Sequence, residues 1–361
     1  MKATRIYELG TAHCVNAQDG ITRAEKIIDI IAKYDPNGWF KIQYYESAEQ
    51  LCTADAIFKS GLNQVDVANK YRLTRQQAES ILLYARGHGL KAGATFYTDF
   101  KELPFEVDFI KIASPDAVDY RLLRSAFYTK DGIPIIISTG GTSDNELEQL
   151  ADEIRRCRGR VTQNHPVSLL FCISEYPQPK YFTGKDFKRI RDLFSICHLS
   201  LFTPGYSDHS HWSNWGSPAT RITAAMGAGV FERHVELPNT SHIDSDVCMQ
   251  LDEGHIKNWI ELTESPDNDD YASLDAYLFD ASILYTRKYW SATKDIGEGV
   301  VLKDHNVTLK RCMTKELYKT YSGFSMGLYD GKDDVLDQIY VAKTPIKKGE
   351  LITSTNTERN Q

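Results

Sequence analysis

Two stretches carry side chains suited to holding a charged ligand: Pro204–His209 (PGYSDH) and Phe231–His234 (FERH). Each reads as the end of a buried β-strand running into ionisable residues. In parallel α/β proteins the carboxyl ends of the strands are where ligands sit. Two imidazoles delivered by successive strand ends, His209 and His234, can hold one divalent metal, with the Ser207 hydroxyl and nearby amides holding an anion beside it. A single strand histidine is more often structural, but two at adjacent strand ends with carboxylates nearby favour the metal. Glu8, at the end of the first strand, and Asp244 are candidates to complete the site. Mixed nitrogen and oxygen ligands suit manganese, iron or zinc better than calcium. His211 is read as loop, and a clamp made of His209 and His211 alone is the weaker alternative.

Lys41 (FKIQYY) and Lys111 (FIKIAS) each lie in an apolar strand context. Burying an ammonium group without a partner is costly, so such a lysine either snorkels to the strand end or faces an anion. Thr95, Ser114, Ser138 and Ser207 also fall near strand ends, which favours the anion. Two lysines with hydroxyls suit a phosphate and a carboxylate on one small molecule. Asp116, Tyr176, Glu8 and Asp244 remain as polar candidates, the carboxylates as general acid or base.

These residues need a scaffold that delivers strand ends to one face. Candidate strands are Thr4–Leu9, Trp39–Tyr44, Ala92–Phe96, Phe109–Ala113, Ile133–Ser138, Ser168–Ile173, Leu201–Tyr206 and Val230–Val235. They are nearly continuous apolar runs, as in a parallel sheet buried on both faces. Helical patterns lie between several of them (ITRAEKIIDIIAKY, TRQQAESILLYARGHG, DNELEQLADEIRRC, PATRITAAMGAG), with Asp144 and Asn145 as helix starters. Eight β-α units predict an α/β fold, a (β/α)8 TIM barrel over residues 1–265. The doubly wound open sheet is the runner-up, disfavoured because no glycine-rich dinucleotide fingerprint follows the first strand.

Composition narrows the function. A formal net charge of −7 over 361 residues argues against general nucleic-acid binding, so an anionic substrate needs a local basic cluster. Seven scattered cysteines without a CxxC read as reduced cytoplasmic thiols. The N-terminus lacks a signal-peptide apolar region, and no apolar run is long enough for a membrane span. An acidic stretch, ESPDNDDYASLDAYLFD, marks a linker at 266–286. Beyond it, residues 287–361 carry an internal repeat, Tyr289–Val307 and Ile339–Thr357, each with an Ile-x-x-Gly turn. Two copies predict a compact pseudo-symmetric β-module, since a solenoid needs about three or more.

Together these motifs resemble the N-acetylneuraminate synthase family, the phosphoenolpyruvate-dependent nonulosonic acid synthases. The matching blocks, in order, are YELGTAH, FKIQ, ATFYTD, KIASPD, PIIISTGG, FCISEYP, GYSDH and FERHVE. The tail resembles that family's SAF (antifreeze-like) domain. The resemblance implies condensation of phosphoenolpyruvate with an N-acylhexosamine-type aldose, giving a 2-keto sugar acid and phosphate. It implies a divalent metal, usually Mn2+ with Mg2+ or Co2+ as alternatives, on His209 and His234. It further implies that Lys41, Thr95, Lys111, Ser114, Ser138 and Ser207 hold phosphoenolpyruvate, that Gln43 and Ser174 also bind substrate, and that Tyr176, Asp244 and Arg311 face the acceptor. Glu8 and Asp116 would handle protons. Asp246 competes with Asp244 across a one-residue gap. It implies a homodimer in which the tail of one subunit brings Arg311 to its partner's site. Several positions depart from the family pattern: Ala12 precedes His13, Asp116 stands where glutamate is frequent, and Arg311 is followed by Cys312-Met313 in place of Pro-Gly. Two other readings are a related barrel acting on a phosphorylated sugar, which predicts an extra basic site, and a non-catalytic paralogue with a binding tail.

Overall fold

A computed structural model of the chain describes residues 2–14, 20–129, 132–160, 165–178, 182–211, 218–264, 288–311, 340–353 and 355–359, the side chains of 159, 160, 218 and 359 excepted. Eight parallel strands run in sequence order: β1 (Thr4–Glu8), β2 (Trp39–Tyr44), β3 (Lys91–Phe96), β4 (Phe109–Ile112), β5 (Ile135–Ser138), β6 (Val167–Cys172), β7 (Thr203–Asp208) and β8 (Val230–Glu236). Pairing of β1 with β8, Glu8 beside His234, closes the sheet into a barrel and excludes the open doubly wound alternative. A short β9 (Met249–Gln250) extends β8.

Nine described helices connect these strands: α1 (Gly20–Tyr34), α2 (Ala48–Leu51), α3 (Gln64–Tyr71), α4 (Arg75–Gly87), α5 (Tyr120–Phe127), α6 (Asp144–Arg160), α7 (Gly184–Ser200), α8 (Pro218–Ala225) and α9 (Glu253–Glu264). Capping chemistry starts several of them. The Thr74 hydroxyl accepts from the Gln77 amide while the Gln77 side chain accepts from Thr74, and Thr183 and Asp186 repeat the box on α7. Most strand ranges shift by one or two residues from the sequence reading, and one shift has a clear local cause. Leu201 begins no strand; it is the left-handed C-cap of α7, exposed, and β7 starts at Thr203. A Leu-Phe pair reads as strand, but the helix needed a terminator there.

Alternation along the strands sorts side chains into two sets. Outward apolar residues pack on the helices in the main core. Inward residues form a floor of Ile6, Phe109, Ile136, Leu170 and Val230, with Trp39 against it, and a polar layer above. The floor is filled through glycine: a Cβ on Gly93 would lie 2.6 Å from the Phe109 ring, so only glycine lets that ring occupy the barrel axis. On the outer face of β1, buried Arg5 donates to Asp35 just beyond α1 (Nε to Oδ2, 2.6 Å) and to Glu264 at the end of α9 (Nη1 to Oε1, 2.6 Å). This pins the first and last barrel helices to the closing strand.

The tail has its own core of Trp290, Ala292, Ile296, Leu302, Val307, Leu309, Ala342, Ile346 and Ile352. Its strands pair as hairpins, β10 (Lys288–Ala292) with β11 (Val307–Arg311) and β12 (Tyr340–Ala342) with β13 (Thr357–Arg359). The repeat is exact in its hydrogen bonding. Ile296 and Ile346 exchange backbone bonds (2.8 and 2.9 Å), and Gly299 donates to Ala342 as Gly349 donates to Ala292, both at 2.8 Å. The expected linker at 266–286 lies outside the described residues, as does the Cys312-Met313 departure.

Removing the axial ring tests the floor. Phe109→Ala is expected to cost about 3–5 kcal/mol, read as a lowered urea midpoint without gross loss of helicity.

Candidate active site

The inward-facing residues above the floor bring most of the sequence candidates together. Lys41 on β2 pairs with Glu8 on β1, lies 3.1 Å from Glu232 Oε1 on β8, and donates to Thr95 Oγ1 on β3 at 2.5 Å. Lys111 on β4 reaches Glu232 Oε2 at 3.4 Å and donates to the Ile112 carbonyl at 3.0 Å. All five side chains are buried. Glu8 Oε1 also accepts the Gly10 amide at 2.6 Å. Burial opposes the Glu232 charge, but Lys111 and Lys41 hold the carboxyl down at about 2. Burial pushes the Lys41 ammonium down to about 8, against the pull of Glu232, with Lys111 beside it pushing the same way. Two cations are thus balanced by two carboxylates in a small, dry volume.

Glu232 was missed by the sequence reading, although its signal was present. It lies two residues before His234, and the period of two along a strand puts both on the inner face.

The two histidines meet. Their ring centroids are 5.6 Å apart, and Tyr176 stacks on His209 at 4.3 Å and stands edge-on to His234 at 5.8 Å. The cause lies on the other face of the sheet. Asp208 and Arg233, the residues preceding each histidine, are in register and form a buried ion pair, reinforced by Thr220 Oγ1 donating to Asp208 Oδ2 at 2.8 Å. Since neighbours on a strand point oppositely, pinning Asp208 to Arg233 turns His209 and His234 inward together.

Burial lowers the His209 imidazole against its bond to the Ile173 carbonyl, and lowers His234 further with His209 and Lys41 adding to it. His209 Nδ1 donates to the Ile173 carbonyl at 2.8 Å, leaving Nε2 with its lone pair towards Tyr176 Oη (3.0 Å) and Ser207 Oγ (3.4 Å). That is the arrangement in which metal-ligating histidines are found, one ring nitrogen committed to a carbonyl. His234 Nδ1 is buried with no hydrogen-bond partner among the described residues. Both rings therefore fit a divalent ion. Gly10 keeps the space open: at φ +49°, a Cβ there would lie 2.8 Å from His234 Nδ1. His211 lies beyond the end of β7 and outside this pair.

The remaining candidates surround this centre. Ser138 is buried with its hydroxyl lacking a partner among the described residues, and Ser114 and Ser174 share a hydrogen bond at 2.9 Å. Gln43 is half-buried, in register with Thr95. Asp244 faces inward and accepts from Thr11 Oγ1 at 2.9 Å, whereas Asp246 is exposed. Burial raises the Asp244 carboxyl, against Thr11 and His242.

Asp116 is met by the tail. Arg311 Nη2 lies 3.4 Å from its Oδ2 and Lys288 Nζ 3.2 Å from its Oδ1, with Asp119 at 3.2 Å from the same lysine. Arg311 also covers the Tyr97 ring at 5.0 Å, and its carbonyl accepts the Thr53 amide at 2.7 Å. The sequence reading expects Arg311 to reach a partner's site; here it lies against Asp116 of its own chain. Lys288 carried no sequence signal, because its partners are remote in the chain.

A closed (β/α)8 barrel that brings a buried cation pair, a histidine pair and carboxylates together at the strand carboxyl ends has its polar centre where ligands sit in this fold. Residues 37–265 match the NeuB family, and the chain belongs to it. A search of curated proteins found no match. Among solved structures, the chain is similar to the spore coat polysaccharide biosynthesis protein spsE from Bacillus subtilis (16% identity, 99% of this chain and 96% of that one, TM-score 0.70). It is also similar to a putative spore coat polysaccharide biosynthesis protein E from Chromobacterium violaceum (20% identity, 99% and 100%, TM-score 0.57). A third similar structure is an N-acetylneuraminic acid synthetase from Leptospira borgpetersenii serovar Hardjo-bovis in complex with citrate (21% identity, 76% and 88%, TM-score 0.57). At these identities the likeness is one of fold. No helix among the described residues is long and apolar enough to cross a membrane.

Two outcomes are expected. Arg233→Met leaves Asp208 buried and unpaired, costing about 3–5 kcal/mol, and weakens divalent-metal binding measured by calorimetry. Separately, Lys41 binds anions only as ammonium. It is charged below about pH 8, so if the layer takes up a phosphate or carboxylate anion, its affinity for that anion should fall by about tenfold per pH unit above that point, with uptake of a proton on binding. A flat calorimetric profile from pH 7 to 10 would exclude Lys41 from the anion site.

Proposed function

We propose that the protein is a nonulosonic (sialic acid-like) acid synthase, condensing phosphoenolpyruvate with an N-acylhexosamine-type aldose to yield a 2-keto sugar acid and phosphate. Membership of the NeuB family supports a sugar-acid synthase of the transferase type. The observation that carries the finer reading is the convergence of Lys41 and Lys111 beside the His209–His234 pair.

In this reading the two ammonium groups leave Glu8 and Glu232 in part to take up the phosphate and carboxylate of phosphoenolpyruvate. Thr95, Ser114, Ser138 and Ser207 supply hydroxyl donors, and the unpartnered Ser138 hydroxyl is ready for one. Gln43 and Ser174 line the same layer. A divalent ion, Mn2+ by preference, would sit on His209 and His234 and supply Lewis-acid polarisation of the acceptor's carbonyl. The methylene carbon of phosphoenolpyruvate forms the new bond to that carbon. Water then adds at the enol-ether carbon, and the tetrahedral adduct expels phosphate with cleavage of the carbon–oxygen bond. Glu8 moves protons at the reacting carbons, and the fixed lysine charges, already oriented, stabilise the shifting negative charge. Tyr176 and Asp244 flank the acceptor. Asp116 holds Arg311 over Tyr97, where a planar fork of donors suits an acyl or hydroxyl oxygen. The tail, a SAF-like module by its repeat, thereby closes the acceptor end.

Phosphate release with a panel of hexosamine-type acceptors tests the reaction; activity confined to phosphorylated sugars would replace it with the related barrel chemistry. Lys41→Met and Lys111→Met should each lose about 30- to 150-fold in kcat/KM, from a charge-assisted contact of about 2–3 kcal/mol. Chelation should abolish turnover and manganese restore it. Full activity of chelated His209→Ala/His234→Ala protein would refute the metal assignment. Mixing Arg311→Ala with His209→Ala chains tests a swapped homodimer, since recovered activity requires tails exchanged between copies.

A further inference from the structure

The loop after β8 gathers a second set of ligand atoms. Glu236 ends β8, His242 lies in the loop, and Cys248 precedes β9. One ligand atom from each lies within 4.8 Å of the others. His242 Nε2 is 3.0 Å from Glu236 Oε2 and 3.8 Å from Cys248 Sγ. Glu236 and Cys248 are each 1% exposed, and the His242 side chain is equally covered. We propose that Glu236, His242 and Cys248 bind a thiophilic divalent ion of the zinc type, separate from the ion at His209 and His234.

Three observations carry this. The first is size. Zinc bonds of about 2.3 Å to sulfur and 2.0–2.2 Å to nitrogen and oxygen give tetrahedral edges of about 3.3–3.6 Å. The two separations from His242 Nε2, 3.0 and 3.8 Å, bracket that range, and all three donors lie within 4.8 Å, so side-chain adjustments suffice.

The second is how the imidazole is held. His242 Nδ1 lies 2.7 Å from Thr11 Oγ1 and 3.3 Å from the Asp244 amide that donates to it, which leaves Nε2 as the nitrogen facing Glu236 and Cys248. An imidazole oriented through its outer nitrogen is the usual arrangement of a ligating histidine, and the Thr11 oxygen can accept the Nδ1 proton once Nε2 is committed to an ion.

The third is the converging sulfur. A proton would bridge nitrogen and oxygen alone, whereas a thiol aimed at the same point is a third donor and favours a soft or borderline ion over manganese. Ser245 Oγ and Thr240 Oγ1, donating to Glu236 Oε2 at 2.9 and 3.3 Å, fix the carboxylate. Water takes the fourth position.

Such an ion would clamp the segment from Leu237 to Val247, which carries Asp244, onto the end of β8. It would position the Asp244 carboxylate through His242 and Thr11. The inference does not depend on the reaction proposed above.

The test uses the full chain stripped with chelator, with Co(II) as the spectroscopic probe. His209→Ala/His234→Ala protein should still take up one Co(II), with a thiolate-to-cobalt absorption band that Cys248→Ser abolishes and Zn(II) displaces. Zinc should also protect Cys248 from alkylation, mapped by mass spectrometry on unmodified protein, and slow amide exchange across residues 237–247. Absence of the band from the wild-type chain overturns the proposal, as does its persistence in Cys248→Ser. Should Cys248→Ser fail to fold, equal alkylation of wild-type Cys248 with and without zinc is decisive against it. None of these readouts requires turnover, so a failure of the synthase reading leaves them intact.

Discussion

The structure turns on the charge balance inside the barrel mouth. Two lysines cannot be buried alone, and two carboxylates cannot either. Placed in one layer on β1, β2, β4 and β8, Lys41, Lys111, Glu8 and Glu232 neutralise one another. Buried ion pairs add little to stability against an apolar alternative, and the floor beneath shows that this barrel can be filled with Phe109, Ile136 and Leu170. The polar layer is therefore the candidate site, a dry volume in which two buried cations and two buried carboxylates meet. Closure of the barrel makes it work, because the four strands become neighbours across the axis only when β1 meets β8.

Support for that layer comes from the face behind it. Asp208 and Arg233 on the helix side set the azimuth of His209 and His234 on the inner side. Arg5 does similar service where the barrel closes, joining α1 and α9 to β1 through Asp35 and Glu264. In both cases a buried arginine with several donors ties elements that apolar packing alone would leave free to slide.

The tail uses the same physics across a different boundary. Among the described residues its apolar core is a cluster separate from that of the barrel, and polar contacts hold it at the mouth. Lys288 and Arg311, at opposite ends of paired strands, are in register with each other, and both reach Asp116. That geometry puts one strand pair against the edge of the site and lays a guanidinium over Tyr97. Asp116 thereby ties the tail to the edge of the barrel mouth, and Thr53 pairing with the Arg311 carbonyl adds a backbone anchor.

Much of this was legible in the chain itself. Apolar runs and their spacing located all eight barrel strands to within a few residues, because buried parallel strands must be apolar throughout. Motif types at their ends named Lys41, Lys111, His209 and His234, and the internal repeat announced the pseudo-symmetric tail, matched bond for bond at Gly299 and Gly349. Glu232 was legible by alternation alone. The pairings were not: which carboxylate neutralises Lys41, that Asp208 and Arg233 aim the histidines, that Lys288 joins Arg311 on Asp116, and that Glu236, His242 and Cys248 converge. Local sequence determines which residues sit at strand ends and which face they take, through backbone periodicity. Closure and docking decide which of those ends meet, because distances between side chains remote in the chain are set by the packing of whole elements.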